Sequence, residues 1–187
     1  VSDELDPRRR RLLDVALATF KRFGFRKTSM EEVARAAGIS RQGLYLSFAT
    51  KEALFVAAIE YAVEDGLAAA VAVAKDDRLE LEDKLVGLFD AWTGRYVGMM
   101  GENVTDLHEA TTLHGGELMR AAEARFVDLV IKVIRGSKLL AAFKASGLSA
   151  RELAESLQAT ARGLKTMCTT REEFGARMRI AVRVMCR

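Results

Sequence analysis

Apolar side chains recur every three or four residues along most of the chain, a period that predicts helices, and no segment alternates apolar and polar residues as a strand would. The first predicted helix starts at Pro7 and reaches Phe23, with Leu13, Leu17, Phe20 and Phe23 on one face and Gly24 at its end. Thr28 and Ser29 each precede a glutamate, Glu31 and Glu32, by three residues, so either can build a capping box for a short second helix. Met30, Val33, Ala34 and Ala37 supply that helix's buried stripe. Gly38 can close it in the left-handed conformation, Ile39 plugs the turn, and Ser40 is a natural N-cap for a third helix reaching Phe48. The result is helix, turn, helix.

Thr50 caps a long fourth helix from Lys51 to about Lys75, with Leu54, Ala58, Tyr61 and Ala62 among its apolar positions. A fifth carries Leu81, Leu85, Leu88, Phe89, Trp92 and Tyr96 and is expected to end between Gly98 and Gly101. A shorter helix is expected from Asn103 to His114, broken by Gly115 and Gly116. Another runs from Glu117 to Arg135 through Leu118, Ala122, Phe126, Leu129, Val130 and Val133. Gly136, Ser137 and Gly147 mark an irregular stretch. Ser149 with Glu152 and Thr170 with Glu173 then open two last helices, to Lys165 and Arg187. The expected fold is all-α, with eight or nine helices: a three-helix head over residues 1–50 and a helical body over 51–187.

Composition agrees with this. The single proline, Pro7, leaves the rest of the chain without the main helix breaker, and 50% apolar residues in a chain of 187 suffice for a core without metal or disulfide. No apolar run approaches the roughly 20 residues of a membrane-spanning helix, and no signal-peptide pattern follows the first arginines. A cytoplasmic location is the expectation, with Cys168 and Cys186 as small core residues in place of a disulfide.

Charge divides the chain. Between Pro7 and Lys51, eleven basic residues face three acidic ones, a net of +8, whereas the whole chain carries only +3. A cationic helix-turn-helix segment joined to a slightly acidic body predicts a polyanionic partner for the head.

The residues Gly24-Phe25, Thr28-Ser29-Met30, the run from Val33 to Tyr45, and Phe48 with Lys51-Glu52-Ala53-Leu54 resemble the N-terminal domain of the TetR/AcrR family of bacterial transcriptional regulators. The likeness covers residues from about 8 to 59; beyond them only the general helical layout is shared. A recognition helix offers its N-terminal residues to base edges in the major groove, which makes Ser40, Arg41, Gln42 and Gly43 the candidate readers. Gln42 can pair with adenine, Arg41 can reach guanine or a phosphate, and Gly43 permits close backbone approach. Tyr45 is similar to the family's aromatic that touches the phosphate backbone or a thymine methyl, with core packing as the alternative. Thr28 and Lys51, at helix starts, can each meet a phosphate. Leu46, Ser47 and Ala49 depart from the family's usual residues, so phosphate contacts are expected to be fewer there. The arginines at 8 to 11 can replace them or simply be solvated.

One recognition helix covers too few base pairs for a genomic address, so a homodimer on a two-fold operator is expected. Its candidate interface lies on the last two helices, at Leu153, Leu157, Ala161, Leu164, Phe174, Met178, Ala181, Val182 and Met185, the region where the family dimerises. The resemblance also implies a small-molecule effector between the fourth and seventh helices, with Phe89, Trp92, Tyr96, Met99, Met100, His108, His114 and Phe126 as candidate lining. The function so implied is a DNA-binding regulator, a repressor released by a small hydrophobic effector; the alternative is an effector-independent DNA-binding or architectural protein. Catalysis is not expected. His108-Glu109 begins like a zinc-protease signature, but Thr112 stands where the second His is required. Dinucleotide, P-loop and nucleophile-elbow patterns are missing, and neither cofactor nor metal is implied.

Overall fold

The structure, a computed structural model, describes residues 6–98 and 103–186. These residues form nine α-helices and no strand: α1 (Pro7–Phe23), α2 (Met30–Ala37), α3 (Arg41–Ser47), α4 (Lys51–Ala74), α5 (Leu81–Trp92), α6 (Val104–Arg135), α7 (Leu139–Ala142), α8 (Ala150–Met167) and α9 (Arg171–Cys186). The chain divides into two compact units, Val1–Asp65 with Met99–Arg120 and Gly66–Gly98 with Ala121–Arg187. Among the described residues no helix is long and apolar enough to cross a membrane.

In the first unit, Leu13, Ala16 and Phe20 of α1, Val33 and Ala34 of α2, Leu44 of α3 and Leu54, Phe55 and Ala58 of α4 are all buried. Phe55 meets Phe20 edge-on at 5.0 Å between ring centroids and Phe25 at 4.8 Å, so one aromatic cluster ties α1, its following turn and α4 together. Phe23 leaves the predicted stripe: it is 40% exposed, and the Arg22 guanidinium lies 5.0 Å from its ring centroid.

In the second unit, Leu85, Leu88 and Phe89 of α5, Phe126, Val130 and Ile134 of α6, Leu153, Leu157 and Ala161 of α8, and Phe174, Met178 and Val182 of α9 make the core. Ion pairs edge the α5–α9 contact. Arg171 grips Asp90 through two bonds of 2.8 and 2.6 Å, Arg179 reaches Asp83 at 2.6 Å, and Arg183 reaches Glu82 at 2.9 Å.

Two predicted boundaries fail. Gly115 and Gly116 do not break the chain: α6 runs through both. Each glycine costs a helix only about 1 kcal/mol relative to alanine, which burial of Leu107, Ala110, Ala122 and Phe126 along the same helix can offset. The fifth helix stops at Trp92, short of Gly98, and a 3₁₀ turn follows over Gly94–Tyr96. Gly94 is poor helix material, and a Cβ there would lie 2.9 Å from Cδ1 of Phe174, so the close approach of α9 requires glycine.

A candidate nucleic-acid interface

The α2-turn-α3 unit is built by local hydrogen bonds. Of the two possible capping boxes, Ser29 makes the one observed: its hydroxyl accepts from the Glu32 N–H at 3.2 Å while its own N–H donates to Oε2 of Glu32 at 2.7 Å. Those donors hold the Glu32 carboxyl below its ordinary value, the Ser29 backbone first and its hydroxyl second. Gly38 closes α2 at φ 68° and ψ 31°, a left-handed geometry that costs a residue with a Cβ more than it costs glycine. The Ile39 N–H donates to the Ala34 carbonyl at 3.0 Å, but its side chain is 39% exposed and does not plug the turn. Ser40 caps α3 by accepting from the Gly43 N–H at 3.0 Å. A Cβ on residue 43 would sit 3.1 Å from that hydroxyl oxygen, so glycine leaves room for the cap.

With Leu44 fully buried and Phe48 nearly so, α3 is anchored through one face, and Arg41, Gln42, Tyr45 and Leu46 are exposed on the remainder. The Arg41 guanidinium lies 5.6 Å from the Tyr45 ring centroid and 3.8 Å from the Glu31 carboxylate. At 66% and 61% side-chain exposure that ion pair is weak and easily exchanged for another anion.

Two expected phosphate ligands are occupied internally. Thr28 is 1% exposed and donates its hydroxyl hydrogen to the Gly24 carbonyl at 2.6 Å. The Lys51 ammonium donates to the Phe25 carbonyl at 2.9 Å and lies 4.4 Å from that residue's ring centroid. Both side chains therefore fasten the turn between α1 and α2.

That turn is also held by α6, a relationship the sequence reading missed. Asn103 donates to the Arg22 carbonyl at 2.8 Å, satisfying the end of α1, and Asp106 accepts from the Arg26 N–H at 3.1 Å. The Arg26 guanidinium pairs with Glu109. His114 places its ring 5.2 Å from that of Phe25. The partners are 80 or more residues apart in the bonds of Asn103, Asp106 and Glu109, so no local motif signals them.

Phe126 stacks on Trp92 at 5.1 Å and meets Phe89 edge-on at 5.2 Å, a buried aromatic trio in the second unit. Tyr96 is half-buried, with Arg95 5.6 Å and Lys165 5.7 Å from its ring centroid. His108 is exposed; Met99 and Met100 lie outside the described residues. A cavity of about 390 Å³ opens in the second unit between Val71, Leu79, Leu81, Leu129 and Val133, with Lys75, Lys84 and Lys132 among its lining. On α8 and α9, Leu153, Leu157, Ala161, Phe174, Met178 and Val182 are buried within the chain, while Leu164, Ala181 and Met185 are half-buried. Outward on those helices are Ala159, Gly163 and Met167, and Ala176, Ile180 and Val184. Cys168 is buried and Cys186 half-buried, both as free thiols, and burial raises both above the ordinary thiol value. Among the described residues no three His, Cys, Asp or Glu side chains gather as metal ligands would.

A short helix held by its inward face, with arginine, glutamine and tyrosine on the outside of a cationic head, defines the helix-turn-helix class of regulators. The family model described as bacterial regulatory proteins, tetR family, matches residues 12–58 of the chain. Over 62 residues it is 40% identical to the uncharacterized HTH-type transcriptional regulator YfiR of Bacillus subtilis, covering 33% of this chain and 30% of that protein. Over 75 residues it is 35% identical to the HTH-type transcriptional regulator RutR of Escherichia coli, covering 40% and 35%. The chain thus spans about a third of the length of the curated relatives it matches. The fold extends further: the fatty acid degradation regulator FadR from Bacillus halodurans superposes with a TM-score of 0.72 over 98% of this chain and 96% of that one, at 15% identity. Proteins of this family are DNA-binding transcriptional regulators, generally repressors, and not enzymes.

Proposed function

We propose that this chain is a cytoplasmic transcriptional repressor that binds a two-fold operator as a homodimer and leaves it when a small hydrophobic effector binds. The observation that carries the reading is the outward presentation of Arg41, Gln42 and Tyr45 on α3, within a segment of net charge +8. Ser40 and Gly43 shape the start of the reading helix; Thr28 and Lys51 support it from behind. The working division is a head over residues 1–50 and an effector-binding and dimerising body over 51–187.

Dimerisation is assigned to α8 and α9, with their roles divided by face. The buried stripe from Leu153 to Val182 supports each helix from within, and the outward residues Gly163, Met167, Ile180 and Val184 meet the second copy. Met167, Ile180 and Val184 are 65%, 63% and 76% exposed, apolar surface that a partner would cover. For the effector, the trio of Phe89, Trp92 and Phe126 must open to admit a ligand, whereas the cavity lined by Val71 and Leu129 is already open. Movement of α4 or α6 reaches the head through Lys51, Asn103 and Asp106, which hold the turn before α2; different ligand affinity in the two positions would shift the population.

Selection of sequences from a random duplex pool by the full chain tests the reading. It should enrich a two-fold symmetric site whose affinity falls steeply with salt. Failure to enrich any sequence, with no salt-sensitive binding, overturns it. A small molecule that quenches Trp92 fluorescence and releases the selected duplex supports the effector step; persistent binding in the presence of every such ligand favours the effector-independent reading.

A further inference from the structure

We infer that Leu46 is a specificity-determining residue, packing against the methyl group of a thymine one to two base pairs from the adenine read by Gln42. The inference rests on the proposed role of α3 as the reading helix. Leu46 is 83% exposed, more than the other large apolar side chains exposed among the described residues, such as Leu113 at 78% and Val184 at 76%. It contributes little to the core, because α3 is already anchored by Leu44 at 0% and Phe48 at 6% exposure.

Its position follows from helix geometry. Leu46 stands four residues after Gln42, hence on the same face about one turn further along, whereas Tyr45, four residues after Arg41, flanks that face with the Arg41 guanidinium 5.6 Å from its ring centroid. Four residues rise about 6 Å along the axis, and base pairs rise about 3.4 Å, which sets the offset at one to two pairs for a helix lying along the groove. Chemistry selects the partner. A leucine side chain has no donor for a phosphate or for a base nitrogen or oxygen, and the thymine C5 methyl is the apolar group that major-groove edges present. The position thus loses phosphate contact and gains a preference for A·T pairs.

The test uses the full chain and the duplex it selects. Each thymine in a half-site is replaced in turn by deoxyuridine, which keeps the pairing edge and removes only the methyl, and affinity is measured by fluorescence anisotropy at fixed salt. For the wild type, one replacement within about two base pairs of the Gln42-dependent adenine should weaken binding about 3- to 10-fold. Leu46→Ala, with an unchanged thermal midpoint, should bind the thymine and deoxyuridine duplexes alike. Equal sensitivity of Leu46→Ala and wild type to deoxyuridine, or indifference of both, overturns the inference while leaving the selected operator intact. A selection that enriches nothing overturns the regulator reading itself, and this inference with it.

Discussion

The backbone N–H of Arg26 donates to Oδ2 of Asp106 at 3.1 Å, joining the turn between α1 and α2 to the first turn of α6 across 80 residues of sequence. The Asp106 side chain is 21% exposed, and the Arg26 Nε lies 3.4 Å from its other oxygen, so the carboxylate serves both the backbone and the charge of one residue. Replacing it with alanine leaves the Arg26 N–H without this partner. Asp106→Ala should lower stability by about 1 to 3 kcal/mol in urea unfolding, with Asp106→Asn recovering part because an amide oxygen can still accept. Equal losses for both variants would show that charge, not acceptance, matters there.

Base reading has a sharper signature. Gln42→Ala should weaken binding to the selected operator by about 1 to 3 kcal/mol while leaving affinity for random duplex nearly unchanged. Gel-shift titrations on both duplexes at one salt concentration check this; parallel losses would remove Gln42 from the readers.

The two faces of α9 should respond differently to substitution. Ile180→Glu places a charge on the outward face and should convert dimer to monomer in sedimentation, with helicity retained. Met178→Ala, on the fully buried face, should cost about 2 to 5 kcal/mol of stability. Dimers that survive Ile180→Glu together with Val184→Glu would move the interface elsewhere.

Acid should loosen both capped helices. Glu32 is lowered by the Ser29 backbone and hydroxyl, and Glu152 by the Ser149 hydroxyl and backbone, each from an ordinary value of 4.5. A carboxyl lowered by folding stabilises above its unfolded value and loses that contribution as pH falls through its folded one. The gap in thermal midpoint between wild type and the double variant Glu32→Ala, Glu152→Ala should therefore be full at pH 7 and close below the ordinary carboxyl range. A gap independent of pH would mean that the caps act through something other than charge.

Gly94→Ala tests the approach of α9. The added methyl would meet Phe174 at 2.9 Å and Asp90 Oδ1 at 2.6 Å, so a loss of about 1 to 3 kcal/mol is expected. Gly175→Ala is a control: a Cβ there meets nothing within 4 Å, and the helix should gain about 1 kcal/mol.

The legible features are those whose cause lies within one or two turns of chain. Ser29 with Glu32, Gly38, Ser40 and Ser149 with Glu152 mark helix ends through bonds spanning three to five residues, and those ends are observed where the residues stand. Thr170 was half legible: its hydroxyl accepts from the Glu173 N–H at 3.1 Å, but the Glu173 carboxylate turns back to the Thr169 N–H instead. Gly115 and Gly116 read as a break because propensity is local, whereas α6 is continuous along its buried positions.

The order of residues therefore carried the helical class, the helix-turn-helix segment, its cationic charge and the exposure of Arg41, Gln42 and Tyr45 on α3, all consequences of short-range spacing. It did not carry the inward turn of Lys51 and Thr28, the hold of Asn103 and Asp106 on the head, or the choice of face on α8 and α9. Those depend on groups brought together by folding. An apolar stripe states only that it must be covered, and folding shows that the Leu157 and Phe174 stripes are covered within this chain while Ile180 and Val184 remain outside.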